Sequence, residues 1–149
     1  MNDVRLVRVY SSEMETLKEY VAALYTHDEE YDAMVNIEEG VNSLMRNEAL
    51  ATPYFIKSGE DRIGYVILTK YHSVEKGGLT FFIDELYVED AHRRKGVGGE
   101  IMAKILEIAK EADARGLWAQ VERSNLPAQA FFTNNGFLVD PHINFERPL

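Results

Sequence analysis

The sequence contains no cysteine. That absence excludes disulfides, thiolate metal sites and a cysteine nucleophile, and it fits a reducing cytoplasm. No apolar run reaches the ~18 residues that a membrane-spanning helix needs, so no membrane partner is expected. The opening stretch, MNDVRLVRVY, lacks the long apolar segment and cleavage site of a secretory leader. Prolines number four and are scattered, and no linker, internal repeat or low-complexity tract interrupts the chain. What remains is 149 residues, 46% hydrophobic and 28% charged. That is the length and composition of one globular domain, 1–149, with enough chain to bury a core.

Positive charge is scarce in the first part of the chain. Residues 1–90 carry 18 acidic and 8 basic side chains, against 7 and 8 in residues 91–149, within a net charge of −9. The acidic part repels a phosphate backbone, so nucleic acid is not an expected partner. It attracts a cation, although a solvated acidic surface has the same signature. The four histidines, His27, His72, His92 and His142, show no ligand spacing, and no metal is expected.

Residue patterning predicts the elements. Val4 to Tyr10 is β-branched and aromatic and reads as a strand. Ser12 with Glu15 forms a capping-box pattern ahead of Leu17, Tyr20, Val21, Leu24 and Tyr25 at helical spacing. Asn36 with Glu39 opens a second helix. Tyr54 to Lys57 and Ile63 to Tyr71 flank a Gly59 turn, and Leu79 to Val88 is a strong strand. A helix follows from Val97, with Gly116 as its cap, then a strand over Leu117 to Val121 and a short helix from Pro127 to Asn134. Phe137 to Val139 and His142 to Phe145 read as closing strands. The order β-α-α-β-β-β-α-β-α-β-β defines an α+β fold: a mixed, mostly antiparallel sheet of about 6–7 strands with about four flanking helices.

Two segments carry chemistry. In the first, a strand ends in Asp84-Glu85-Leu86-Tyr87-Val88. A basic loop, Arg93-Arg94-Lys95, and the run Gly96-Val97-Gly98-Gly99 then open the long helix. A helix start presents unbonded N–H groups, glycines let the backbone approach an anion, and three cations add charge, which together make a phosphate cradle. A dinucleotide fingerprint needs glycine where Ile101 stands, and the Gly-Lys-Ser/Thr of a P-loop is absent. The second segment is Ser124 to Phe137, holding Asn125, Ala128, Phe131, Phe132, Gly136 and Phe137.

Together these segments resemble the GNAT superfamily of N-acetyltransferases. Its first motif, Val, four residues, then Arg/Gln-x-x-Gly-x-Gly/Ala, is met by Val88, Arg93, Gly96 and Gly98. Its second, Asn-x-x-Ala-x-x-x-Tyr-x-x-x-Gly-Phe, is met by Asn125, Ala128, Gly136 and Phe137, with Phe132 at the Tyr position. The resemblance is specific over Leu79–Phe137 and rests on element order alone through residues 1–78. It implies an acetyl-CoA core at 79–137 and a mainly acceptor-binding side at 1–78. It implies that Arg93 and the amides of Arg94, Lys95, Gly96, Val97, Gly98 and Gly99 hold the pyrophosphate. The backbone of Leu86, Tyr87 and Val88 would pair with the pantetheine arm, and the Val88 N–H would stabilise the thioester oxyanion. Asn125 and Ala128 would lie along the cofactor, with Phe131 and Phe132 near its sulfur, although core packing also accounts for phenylalanines there.

The implied reaction is direct attack of an amine on the thioester. An alkylamine with a pKa of about 10.4 must first lose a proton, and Asp84, Glu85 and Glu122 are the candidate bases. In the family the base on this strand tends to precede the motif Val by an even number of residues. That ranks Asp84 ahead of Glu85, unless a bulge reverses the parity. Glu85 reads equally as a member of a structural ion pair. Gln120 stands where some members carry a glutamate. Phe132 lacks the hydroxyl that protonates the thiolate in much of the family, leaving Tyr31, Tyr71 or Tyr87 as a substitute acid, departure of the thiolate unaided, or a weak or lost activity.

The acidic run Asp28-Glu29-Glu30-Tyr31, with Asp84, is the candidate acceptor site. It points to a small cationic or polyamine-like amine, and reads alternatively as a solvated helix end. A protein lysine or N-terminal amine, and a non-catalytic acyl-CoA-binding domain, are the other readings. A homodimer through the last strands is a further expectation.

Overall fold

The computed structural model describes residues 3–27 and 36–149. Nine elements follow in order: β1 (Val4–Arg8), α1 (Met14–His27), α2 (Ile37–Arg46), β2 (Ala51–Ser58), β3 (Asp61–Ser73), β4 (Gly78–Val88), α3 (Val97–Glu111), β5 (Gly116–Ala119) and α4 (Leu126–Asn134). The strands form one sheet in the order β1-β2-β3-β4-β5. The first four pair antiparallel, whereas β4 and β5 pair parallel, the geometry a helical crossover through α3 permits.

Helices cover both faces. On one, Val97, Ile101, Met102, Ile105 and Ala109 of α3 pack on Val4, Ile56, Ile63, Val66, Leu68, Phe81 and Ile83. On the other, Met14, Leu17 and Val21 of α1 and Val41 and Leu44 of α2 pack on Phe55, Tyr65 and Ile67. The central strand β3 is therefore buried continuously from Ile63 to Leu68, as expected of a strand covered on both sides.

The local signals place most of these elements. Asn36 caps α2 by accepting the Glu39 N–H at 3.0 Å. Asn125 caps α4 by accepting from Ala128, with Pro127 in the first turn. Three expectations are corrected. At the start of α1 it is Glu13, not Glu15, that reaches back, accepting the Tyr10 N–H at 3.2 Å, because a short 3-10 turn over Ser11–Glu13 precedes the helix. The long helix ends at Glu111, where Asp113 takes the left-handed conformation at φ 54°, and Gly116 instead opens β5. The sheet has five strands among the described residues rather than six or seven, since residues 137–149 form none. Pro141 has no N–H for a ladder, and Asp140 Oδ1 takes the His142 N–H at 2.7 Å in a local turn that competes with strand pairing.

Candidate active site

A bulge in β4 organises the site. Ile67 pairs with Glu85 but Leu68 pairs with Ile83, so Asp84 is the extra residue. The insertion shifts the side-chain alternation by one. Before it, Leu79, Phe81 and Ile83 face α3; after it, Leu86 and Val88 do, while Tyr87 joins the α1–α2 face. Asp84 and Glu85 consequently both line one cavity on the α1–α2 side. The bulge takes Asp84 off the Val88 face, so parity no longer separates the two carboxylates: both face the α1–α2 side, away from the Val88 side chain.

The cavity, of about 140 Å³, is walled by Val21, Ile37, Val41, Leu44 and Ile67, with Tyr25 and the two carboxylates. Glu85 is held from two elements. Tyr65 on β3 donates to Oε1 at 3.0 Å, and Tyr25 on α1 donates to Oε2. Burial pushes the Glu85 pKa above the usual glutamate range, outweighing the two hydroxyls that lower it, and the Asp84 charge adds to the rise. Asp84 keeps an exposed surface, yet crowding of its carboxyl group by the cavity walls also raises its pKa. The open surface bounds how far that shift goes.

The same bulge marks where β4 and β5 part. Their pairing stops at Ile83–Ala119, and β4 runs on to Val88 with no strand beside it on that edge among the described residues. Glu89 donates its N–H to Ile63 on the β3 side. Backbone groups alternate sides along a strand, so the Leu86 and Val88 amides face the vacated edge. The Val88 carbonyl, on that edge too, accepts Arg93 Nε at 2.6 Å. On the β3 side the strands are unusually close: a Cβ on Gly64 would sit 2.0 Å from the Tyr87 carbonyl oxygen.

Beyond Val88 the chain turns into the glycine loop. Arg93 acts as a pin here: besides the Val88 carbonyl it reaches Asp90 at 2.7 Å, and its guanidinium lies 5.3 Å from the Tyr87 ring centre. Arg94 and Gly96 adopt left-handed conformations, with φ 58° and 81°. No side chain caps α3, so its first N–H groups open onto a loop that also carries exposed Arg94 and Lys95. Val97 is buried under the helix start, Gly99 is exposed, and a Cβ on Gly98 would meet Phe131 at 2.9 Å. A helix start without a side-chain cap, left-handed turns before it and two exposed cations fit a pyrophosphate-bearing group, while Gly98 makes room for the Phe131 ring.

Phe131 and Phe132 stack edge-on, with ring centres 5.2 Å apart, and Phe132 meets Phe137 at 5.0 Å, so Phe132 belongs to the core as well as to the second motif. Tyr71 packs against Trp118 near the opposite end of β3, paired with Thr80, away from the Val88 end. Tyr87 lies beside Tyr20 and Tyr65 on the α1–α2 face. Glu122 stands after β5 in an exposed turn. Asp28, Glu29, Glu30 and Tyr31 lie outside the described residues. Sequence reasoning missed Tyr25 and Tyr65 as partners of Glu85, because the pairs lie 60 and 20 residues apart and both tyrosines fit an apolar pattern. It also gave Gly64 no part.

The chain belongs to the Acetyltransferase (GNAT) family, whose model matches residues 8–137. It is similar in structure to a possible acetyltransferase from Clostridium difficile 630, at TM-score 0.83 and 17% identity, covering 98% of this chain and 97% of that one. A ribosomal-protein-alanine N-acetyltransferase from Brucella melitensis biovar Abortus 2308 superposes at TM-score 0.77 and 16% identity, covering 99% of each. An aminoglycoside N-acetyltransferase in complex with CoA superposes at TM-score 0.76 and 13% identity, covering 99% and 96%. At these identities the likeness is one of fold. The family uses acetyl-CoA, and no helix of the described residues is long and apolar enough to cross a membrane.

Proposed function

We propose that this protein moves an acetyl group from acetyl-CoA to an aliphatic primary amine on a small cationic molecule, with Glu85 as general base. The observation that carries this reading is the cavity at the bulge, where two carboxylates close a narrow apolar slot. At about 140 Å³ it matches a cavity that takes a benzene-sized group of about six heavy atoms. Methylene walls and a carboxylate floor suit an alkylammonium arm, such as one end of a polyamine, better than a hydroxyl-studded amino-sugar ring.

Acetyl-CoA supplies the activated thioester, and the chain's residues do the rest. Arg94, Lys95 and the amides from Gly96 to Gly99 hold the pyrophosphate. The Leu86 and Val88 amides, on the edge β5 vacates, bind the pantetheine arm, and the Val88 N–H supports the thioester oxygen as charge develops. Asp84 draws the ammonium into the slot. Glu85 takes one proton from it, so that nitrogen bonds to the acetyl carbon as the carbon–sulfur bond breaks. The amine's second surplus proton ends on the departing thiolate through solvent. A thiol pKa of about 8.5 lets that group leave without a tyrosine at Phe132. On this reading residues 1–78 serve mainly the acceptor, joined by Asp84 and Glu85, and the rest of 79–137 serves acetyl-CoA.

The test is release of CoA thiol from acetyl-CoA with polyamines, aminoglycosides, amino sugars and lysine peptides. Release with alkyl polyamines, and little with amino sugars, is the expected result; the reverse order overturns the acceptor class. Phe132 supports a second reading, an acyl-CoA-binding domain without transfer. Tight acetyl-CoA binding with no release across the panel selects it. A companion prediction concerns the loop: Arg94→Gln with Lys95→Gln is expected to weaken acetyl-CoA binding about tenfold at low salt and flatten its salt dependence, as titration calorimetry at two ionic strengths would read.

A further inference from the structure

Glu85 projects into an apolar slot, where an unheld carboxylate would turn toward water or take up a proton. Instead each of its oxygens meets a different hydroxyl, Tyr65 at Oε1 and Tyr25 at Oε2. One donor would leave the carboxylate free to pivot about that bond; two donors on opposite oxygens set its plane and its reach. The hydroxyls are not equivalent. Tyr65 is fully enclosed in the central strand. Tyr25 lines the cavity from the last turn of α1, so its hydroxyl follows wherever that helix end stands. We infer that Tyr25 is a positioning residue that fixes the Glu85 carboxylate toward the acceptor slot, with Tyr65 as the immobile second hydroxyl. The inference rests on the reading of Glu85 as the base.

The surroundings make the effect readable. Among the described residues, the titratable groups facing Glu85 are Asp84 from β4 itself, Tyr65 from β3 and Tyr25 from α1. α2 contributes Asn36 and apolar side chains, and no cationic side chain lines the cavity among the described residues. Both hydroxyls favour the charged carboxylate and Asp84 opposes it. Removing the Tyr25 hydroxyl must therefore make Glu85 harder to deprotonate, and neutralising Asp84 must make it easier.

The experiment measures kcat and kcat/KM from pH 5 to 9, acetyl-CoA affinity and Tm for Tyr25→Phe, Tyr65→Phe, Asp84→Asn and Glu85→Gln. Tyr25→Phe is expected to leave acetyl-CoA affinity within about twofold, lower kcat about tenfold and move the acidic limb up by about one pH unit. Tyr65→Phe is expected to move it in the same direction, and Asp84→Asn in the opposite one. An acidic limb that stays in place in Tyr25→Phe overturns the inference, whatever happens to kcat. Should that variant fail to fold, 3-fluorotyrosine at Tyr25 keeps the ring and donates more strongly. The limb must then fall, and an unmoved limb overturns the inference equally. Glu85→Gln separates the two ideas: if it keeps the limb and the turnover, the base assignment itself is wrong. If it loses both while Tyr25→Phe leaves the limb unmoved, the positioning role alone is wrong.

Discussion

Glu85→Gln is expected to lower turnover about 10²–10⁴-fold while acetyl-CoA affinity stays within about twofold. The amide occupies the same space and keeps an oxygen for one tyrosine, so the cavity retains its shape and only the proton acceptor is lost. The proposed cofactor groove, along Leu86 to Val88 on the vacated edge and the loop beyond, is untouched. Stability is expected to move the other way. Because burial raises the Glu85 pKa in the folded state, ionising it at neutral pH opposes folding. Gln removes that cost, so Tm should rise at pH 7.5. The gain should close as pH falls below the unfolded glutamate pKa, where both states hold the proton. A turnover within threefold of the parent's, in a variant with unchanged acetyl-CoA affinity, would transfer the base role to Asp84 or to water.

Gly64→Ala is expected to damage the cofactor site from the opposite side of the strand. A Cβ there would sit 2.0 Å from the Tyr87 carbonyl oxygen and 2.9 Å from its carbon. Backbone rather than a flexible side-chain end is in the way, so the central pair of strands must separate. The overpacking cost is about 3 kcal/mol. The displaced segment is the one whose other edge carries the Leu86 and Val88 amides. Thermal unfolding should therefore show a lowered Tm, and calorimetry an acetyl-CoA affinity weakened at least tenfold even where the protein is fully folded. Gly40→Ala, at a position with nothing within 4 Å of the added carbon, is the control expected to leave that affinity unchanged. Equal affinity in Gly64→Ala and the parent would mean that β4 does not form the groove.

Much of this was legible along the chain. Turns, caps and the helix from Val97 follow from patterns a few residues long: Gly59 for the hairpin, Asn36 and Asn125 for caps, the spacing of Ile101, Met102 and Ile105 for a buried face. The misplaced boundaries share a cause. At Ser12, Gly116 and the closing segment, two local signals competed, and the choice fell to geometry that a short window does not contain. The tail illustrates it: Ile143 and Phe145 alternate like a strand, but Pro141 and the Asp140–His142 turn break the ladder.

By itself the sequence determined the basic glycine loop, the two spaced motifs and the presence of carboxylates at 84 and 85. Loops, caps and helix starts are written in residues that touch their own neighbours. Only the tertiary structure decided which face those carboxylates share. It alone brought Tyr25 and Tyr65 to Glu85, set Gly64 against the Tyr87 carbonyl and left the outer edge of Leu86 to Val88 without a neighbouring strand among the described residues. The reason is physical: one inserted residue at Asp84 inverts the alternation of everything after it, and strand pairing across the sheet places that insertion.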